Sequence, residues 1–285
     1  MNIAIVGYGR MGRLIEAAAR ERGHHVSVVV DPLTPGPRGY RTVEAAEFGA
    51  AGDHDAGDRA AGDGAGGTDV AVEFSRPDAA AGNIMALAKR GIAVVSGTTG
   101  WYDRMEEVTQ AVTAAGTALL WASNFSLGVN LFYRIAWYAA QLMDPFEDYD
   151  AGGWESHHNK KADSPSGTAK TLAEGVLARM KRKRRAVYQT LDRPPAPEEL
   201  HYPSLRLGAA PGTHSLIFDS AADTIEITHR ARNREGFAAG ALAAAQWLAR
   251  CPGPGLPAGE IRRGIFTMDD VLNDLETRHE SEELP

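Results

Sequence analysis

The chain has 285 residues, 44% of them hydrophobic, enough to bury one large core or two smaller ones. Its formal charge of −7 argues against general binding to nucleic acid or an acidic membrane, so an anionic ligand must be held by local charge. The single cysteine, Cys251, excludes an internal disulfide; with no signal-peptide pattern and no apolar run near the roughly 18 residues of a membrane span, a soluble protein of the reducing cytoplasm is expected.

The predicted elements open with a strand at residues 2–6, a glycine turn at 7–12, a helix at 13–22 and a β-branched strand at 25–30, together one βαβ unit. In that turn, GYGRMG, the residues Gly7, Tyr8, Gly9, Arg10, Met11 and Gly12 follow the spacing G-x-G-x-x-G. Glycines there let the backbone approach a pyrophosphate, and the following helix N-terminus favours its charge. The plain alternative is a tight structural turn. Asp31 closes the second strand, where a carboxylate would accept hydrogen bonds from a ribose hydroxyl. It would also repel a 2′-phosphate, which favours NADH; Arg10 and Arg38 keep NADPH open, or are ordinary solvated arginines.

Residues 48–68, mostly Ala, Gly and Asp, have neither periodicity nor large side chains and read as an acidic surface loop. Strands at 69–74, 92–96 and 118–121 then alternate with helices at 77–89 and 102–115, the pattern of a doubly wound parallel sheet. SGTTGW sets Gly97, Thr98 and Thr99 at the carboxyl end of one such strand, and Ala122, Ser123, Asn124 and Phe125 follow the next. Ligands of these sheets bind at that edge, although a strand-to-helix turn with a threonine cap fits equally.

A second, α+β unit begins after Asn124, with a helix at 129–143, a strand at 149–158, a helix at 168–182 and antiparallel strands across 204–231. The tail, 236–248 and 264–275, returns to helical spacing. ESHHNKKADSPSGTAKTLAE brings His157, His158, Lys160 and Lys161 ahead of a helix opening at Gly167 and Thr168. The helix start and a lysine suit a carboxylate, and His157 or His158 suits proton donation near neutral pH. A zinc site and a plain capped helix are the alternatives. KRKRR at 181–185 is read as a solvated helix end.

The motifs GRMG, VEFSRP, GTTGW, ASNFSLGVN, ESHHNKKADSPSGTA and GTHSLIFDSAADTIEITHRA, in this order, resemble the dihydrodipicolinate (4-hydroxy-tetrahydrodipicolinate) reductases over nearly the whole chain. The HHxxKxDxPSGTA stretch is the most specific part. The resemblance implies a Rossmann-type α/β dinucleotide-binding domain at 1–126 and 237–285. It also implies a substrate-binding and oligomerisation domain at 127–236 with a mainly antiparallel sheet, hinges near Ser126 and Phe237, and a homotetramer. The implied reaction is NADH- or NADPH-dependent reduction of a cyclic imine dicarboxylate on the route to diaminopimelate and lysine. His157 would be the general acid and Lys161 the second proton-donor candidate, with His158, Gly167 and Thr168 on the substrate. Gly7 to Gly12, Asp31, Gly97 to Thr99 and Ala122 to Phe125 would hold the nucleotide, and no metal is implied. The chain departs from the pattern in a shorter glycine turn, in Glu73 for an aspartate and in Ser164 for an alanine. Two rivals stay open: another imine reductase on this scaffold, and a silent NAD(H)-binding sensor, against which the intact His157, His158 and Lys161 argue.

Overall fold

Runs of Val, Ile, Leu and Ala too short for helices, bounded by Gly, Asp and Ser, become fully buried strands in the first unit of a computed structural model that describes residues 1–33, 39–49, 67–249 and 262–282. This unit comprises Met1–Ser126 and Phe237–Pro285; the second is Leu127–Gly236. Arg38, residues 50–66 of the acidic segment and Cys251 lie outside the described residues.

The first unit runs β1 (Asn2–Val6), α1 (Arg10–Glu21), β2 (His25–Val30), β3 (Gly39–Tyr40), β4 (Val70–Glu73), α2 (Pro77–Ala88), β5 (Ala93–Ser96), α3 (Met105–Ala114) and β6 (Ala118–Trp121). The sheet order is β13-β6-β5-β4-β1-β2-β3, where β13 (Gly264–Phe266) comes from the tail, and every pairing is parallel. Chain order runs outward in both directions from β1 and β4, so the topological switch lies between these two central strands. Ile3, Ala4, Ile5, Val70, Ala71 and Val72 there are 0% exposed.

The second unit runs α4 (Leu127–Met143), β7 (Asp150–His157), α5 (Gly167–Leu177), β8 (Arg185–Val187), β9 (Glu199–His201), β10 (Ser204–Arg206), β11 (Thr213–Asp219) and β12 (Thr224–Arg230). Its sheet is mixed. The long ladders β7–β11 and β11–β12 are antiparallel, while β10 and β9 pair β7, and β8 pairs β9, in parallel. Phe132, Tyr133 and Ala136 of α4 and Leu172, Ala173 and Val176 of α5 share one core with Leu200, Leu216 and Phe218 of the strands. The chain then forms α6 (Glu235–Ala249) and, after β13, α7 (Met268–Glu282).

Several local expectations are corrected. The glycine turn is shorter than its motif, because α1 already starts at Arg10. Residues 264–266, expected to be helical, form β13, since edge pairing with β6 outweighs a helical spacing carried by so few residues. Phe48 and Thr68, the ends of the expected surface loop, are buried, and the Thr68 N–H donates to the Phe48 carbonyl at 2.9 Å. KRKRR does not end a helix, for α5 stops at Leu177 and Arg185 begins β8. Lys183 within it is 2% exposed, with Nζ donating to Asp150 Oδ1 at 2.5 Å and to the Glu199 carbonyl at 2.8 Å.

Candidate active site

In the first unit the singled-out residues all follow the carboxyl ends of parallel strands: Gly7 to Gly12 after β1, Asp31 after β2, Gly97 to Thr99 after β5, and Ala122 to Phe125 after β6. Phe74, just past β4, ties three of these loops together. A Cβ on Gly7 would lie 2.3 Å from the Phe74 carbonyl oxygen, one on Gly97 would lie 2.2 Å from the Phe74 ring, and the Phe125 ring centroid is 5.8 Å from that ring. Below it the buried Glu73 accepts from Ser96 Oγ at 2.8 Å and from Ser75 N at 3.0 Å.

Asp31 is placed differently from a free ribose acceptor. Its Oδ2 accepts the Tyr8 N–H at 2.7 Å and its Oδ1 the Leu33 N–H at 2.8 Å, so it also fixes the glycine turn against the end of β2. Two features of these loops, among the described residues, leave room for a ligand. A Cβ at Gly9, the N-cap of α1, would meet nothing within 4 Å, and Thr98 Oγ1 is buried with no hydrogen-bond partner. Both fit a group that enters from outside. Thr99 and Ser123 are exposed, and Asn124 Oδ1 accepts from Ser126 N at 2.9 Å.

In the second unit the chemistry gathers on one face of β7. Residues two apart on a strand share a face, so Glu155 and His157 project together. The registers Ser204↔Glu155 and Arg206↔His157 from β10, and His214↔Glu155 from β11, add three side chains to that face. Glu155 is 0% exposed and is the hub. Its Oε1 accepts from Ser166 N at 3.0 Å, Ser204 Oγ at 2.7 Å and Arg206 Nη2 at 2.9 Å, and its Oε2 accepts from Ser166 Oγ. His157 Nδ1 lies 3.3 Å and His214 Nδ1 3.8 Å from Oε2, and the two rings meet edge to face at 5.1 Å.

The same geometry sets the charges. Burial by itself raises the Glu155 carboxyl, but hydrogen bonds from His157, Ser166 and Ser204 overcome it and hold the group well below the usual carboxylate range. Burial pushes His214 down to about 3, with His157, His229 and Lys161 adding to the effect and Glu155 opposing it. His214 is therefore neutral near pH 7, while Glu155 is ionised.

β7 ends at His157, so His158 is the first residue beyond the strand and is not forced to the opposite face; its Nδ1 is buried without a partner. Lys161 Nζ is 2.7 Å from Asp163 Oδ1, and Lys160 is exposed. The helix α5 opens at Gly167 with Ser166 as N-cap, whose Oγ accepts the Ala169 N–H at 3.1 Å. A Cβ at Gly167 would meet nothing within 4 Å, so the first turn is open beside the capped one.

Glu155, Ser166, Ser204, Arg206, Gly212 and His214 were not singled out in the sequence. Glu155 was visible by its two-residue spacing from His157 and Ser166 by its place at the start of α5; Ser204, Arg206 and His214 needed the strand register. One cluster among the described residues, Glu155, His157 and His214, has ligand atoms within 4.8 Å of one another. Its carboxylate oxygens already accept from Arg206, Ser166 and Ser204, which leaves it poorly placed to serve as a metal ligand.

The comparisons with known proteins agree over nearly the whole chain. A family described as dihydrodipicolinate reductase, N-terminus, matches residues 1–125, and one described as dihydrodipicolinate reductase, C-terminus, matches residues 128–272. A 4-hydroxy-tetrahydrodipicolinate reductase of Christiangramia forsetii is 38% identical over 275 residues, covering 96% of this chain and 99% of that protein. One from Archaeoglobus fulgidus is 34% identical over 282 residues, covering 95% of this chain and 100% of that protein. Among solved structures, a dipicolinate-bound dihydrodipicolinate reductase from Paenisporosarcina sp. TG-14 matches with a TM-score of 0.67 at 18% identity, covering 94% of this chain and 97% of its own, a likeness of fold.

Proposed function

The chain belongs to the dihydrodipicolinate reductase family, and we propose that it works with His157 as proton donor and the start of α5 as the seat of a substrate carboxylate. It is an NAD(P)H-dependent oxidoreductase that reduces 4-hydroxy-tetrahydrodipicolinate to tetrahydrodipicolinate, a step towards diaminopimelate and lysine. The observation that carries the residue assignment is that one carboxylate, Glu155, touches both His157 and Ser166, the cap of α5. A proton donor and an anion seat are thereby built on one frame.

In the second unit, the open first turn at Gly167 and Thr168 receives one carboxylate of the substrate, Lys161 supplies countercharge, and the buried, unpartnered Nδ1 of His158 offers a further polar contact. Dipicolinate, held by the solved relative, is a planar cyclic dicarboxylate of the kind this arrangement suits. After water leaves the 4-hydroxy form, reduction of the conjugated ring yields an enamine, and the protonated His157 delivers a proton to its carbon. Lys161 is the second candidate for that transfer.

In the first unit, Gly7, Tyr8, Gly9, Arg10, Met11 and Gly12 would hold the pyrophosphate, Asp31 the ribose, and Gly97, Thr98, Thr99, Ala122, Ser123, Asn124 and Phe125 the nicotinamide half. The open Gly9 and the unpartnered Thr98 hydroxyl support this fit. When bound, the dinucleotide supplies the hydride equivalent. The Asp31 carboxylate against the turn favours NADH over NADPH.

A homotetramer is supported by β12, an edge strand whose residues are all exposed or half-exposed and which carries Ile225 at its surface. A cytoplasmic setting is supported by the single cysteine. No helix among the described residues is long and apolar enough to cross a membrane.

The test is nucleotide oxidation by the purified chain, with substrate made in place from pyruvate and aspartate semialdehyde by the preceding synthase. Substrate-dependent oxidation is expected with both nucleotides, faster with NADH. Nucleotide binding without oxidation would return the silent sensor to the front.

A further inference from the structure

We infer that Glu155 is a positioning residue for the reduction: it fixes the His157 ring with the proton on Nδ1 and so aims Nε2 as the donor. This rests on His157 being the proton donor. A neutral imidazole has one N–H, and which nitrogen carries it is set by the partner of the other. In this protein Nδ1 is buried and makes no aligned hydrogen bond, and Glu155 Oε2, of an ionised and buried carboxylate, lies 3.3 Å away as the acceptor within reach of its proton. Nε2 is then left for the substrate.

The carboxylate itself is immobilised. Two contacts from Ser166, one from Ser204 and one from Arg206 hold its two oxygens, so it cannot turn away from the ring. Arg206 is anchored in turn by donating to the Asp163 carbonyl at 2.7 Å. His214 closes the other side. Burial keeps it neutral, so it packs edge to face on His157 without competing as a cation for Glu155.

The titratable and charged groups around the pair are Arg206 from β10, His214 from β11, His229 from β12 acting on His214, Tyr188 after β8 and Tyr202 after β9, which both feel the Glu155 charge, and Lys161 with its partner Asp163 from the segment before α5. Arg206 contacts Glu155 Oε1, whereas His157 faces Oε2, so the guanidinium and the imidazole share the carboxylate through different oxygens.

The experiment combines an NMR measurement on the wild-type chain with kinetics of Glu155→Gln and His157→Gln. In the full-length wild-type chain labelled with 15N-histidine, neutral His157 is expected to show its proton on Nδ1; an Nε2–H tautomer overturns the inference, and this readout needs no variant to fold. Glu155→Gln is expected to lower kcat on the order of 10- to 100-fold with little change in the substrate KM. A folded Glu155→Gln with wild-type kcat, beside an inactive His157→Gln, overturns the role of Glu155 alone. A fully active His157→Gln overturns instead the assignment of the donor.

Discussion

A Cβ placed on Gly212 would lie 3.0 Å from Nε2 of His157, the nitrogen that faces away from Glu155. Gly212 also has φ +145, a conformation L side chains rarely adopt, so the turn before β11 owes its shape to this residue. Gly212→Ala is expected to displace the His157 ring and lower kcat by about tenfold or more. Gly208→Ala is the control, for its φ is +51 yet a Cβ there meets nothing within 4 Å. It should cost roughly 1–2 kcal/mol of stability and leave kcat alone; equal kcat values in the two variants would remove Gly212 from the site.

The glycines of the first loop separate in the same way. A Cβ on Gly7 collides with the Phe74 backbone at 2.3 Å, whereas one on Gly9 meets no protein atom. Gly7→Ala should lose both thermal stability and nucleotide binding. Gly9→Ala should keep its thermal midpoint and raise the nucleotide KM by about tenfold or more. An unchanged KM in a folded Gly9→Ala protein would show that the nucleotide does not approach there.

Lys161 is the group proposed to meet the substrate's charge. Its present partner, Asp163 at 2.7 Å, is about half exposed, so that pair contributes little to stability. Lys161→Ala should therefore leave the unfolding midpoint near wild type and raise the substrate KM more than it lowers kcat. A fall in kcat at constant KM would instead make Lys161 the proton donor.

How far the sequence carried this reading depends on the range of the interaction involved. Much of the first sheet was legible because β1, β2, β4, β5 and β6 are short apolar runs between turn residues, and β1, β2 and β6 fall where periodicity sets them, whereas the two-residue β3 gives no such signal. The histidine-lysine run and the cap of α5 were legible because their chemistry is local. The hub was not, because Ser204, Arg206 and His214 reach Glu155 only through the register of β10 and β11 on β7. β13 escaped for a related reason: Gly264 to Phe266 become a strand only when β6 offers an edge. KRKRR misled because five cations look solvated until a buried acceptor is known.

That last point is measurable. Lys183 Nζ satisfies the Glu199 carbonyl and Asp150 from a side chain 1% exposed. Lys183→Met should leave the carbonyl without its donor and cost about 1–3 kcal/mol in urea unfolding. Lys181→Met, at an exposed position in the same run, should stay within about 0.5 kcal/mol. Equal stabilities would mean that Lys183 is as solvated as its neighbours.

His214 links the hub to acid stability. Burial lowers its pKa from 6.5 to about 3, so between these values the unfolded chain binds a proton that the folded chain does not. Stability from this group is therefore at its full value above about pH 6.5 and falls as pH drops towards 3, with a limiting slope of about 1.4 kcal/mol per pH unit. Glu155 acts later: its carboxyl is depressed in the fold, so its contribution is present above the ordinary carboxylate value of 4.5 and is lost only as pH falls further. The onset above pH 5 should thus belong to histidine. His214→Asn removes that proton linkage at the cost of a packing defect, so it should be the less stable protein at about pH 7.5 and close much of the gap by about pH 5.5. Comparing the two proteins cancels His24 and most of the effect of His229, whose pKa values burial also lowers. Urea midpoints that stay equally far apart across this range would show that His214 already carries its proton in the fold, and would undo the neutral ring on which its packing against His157 depends.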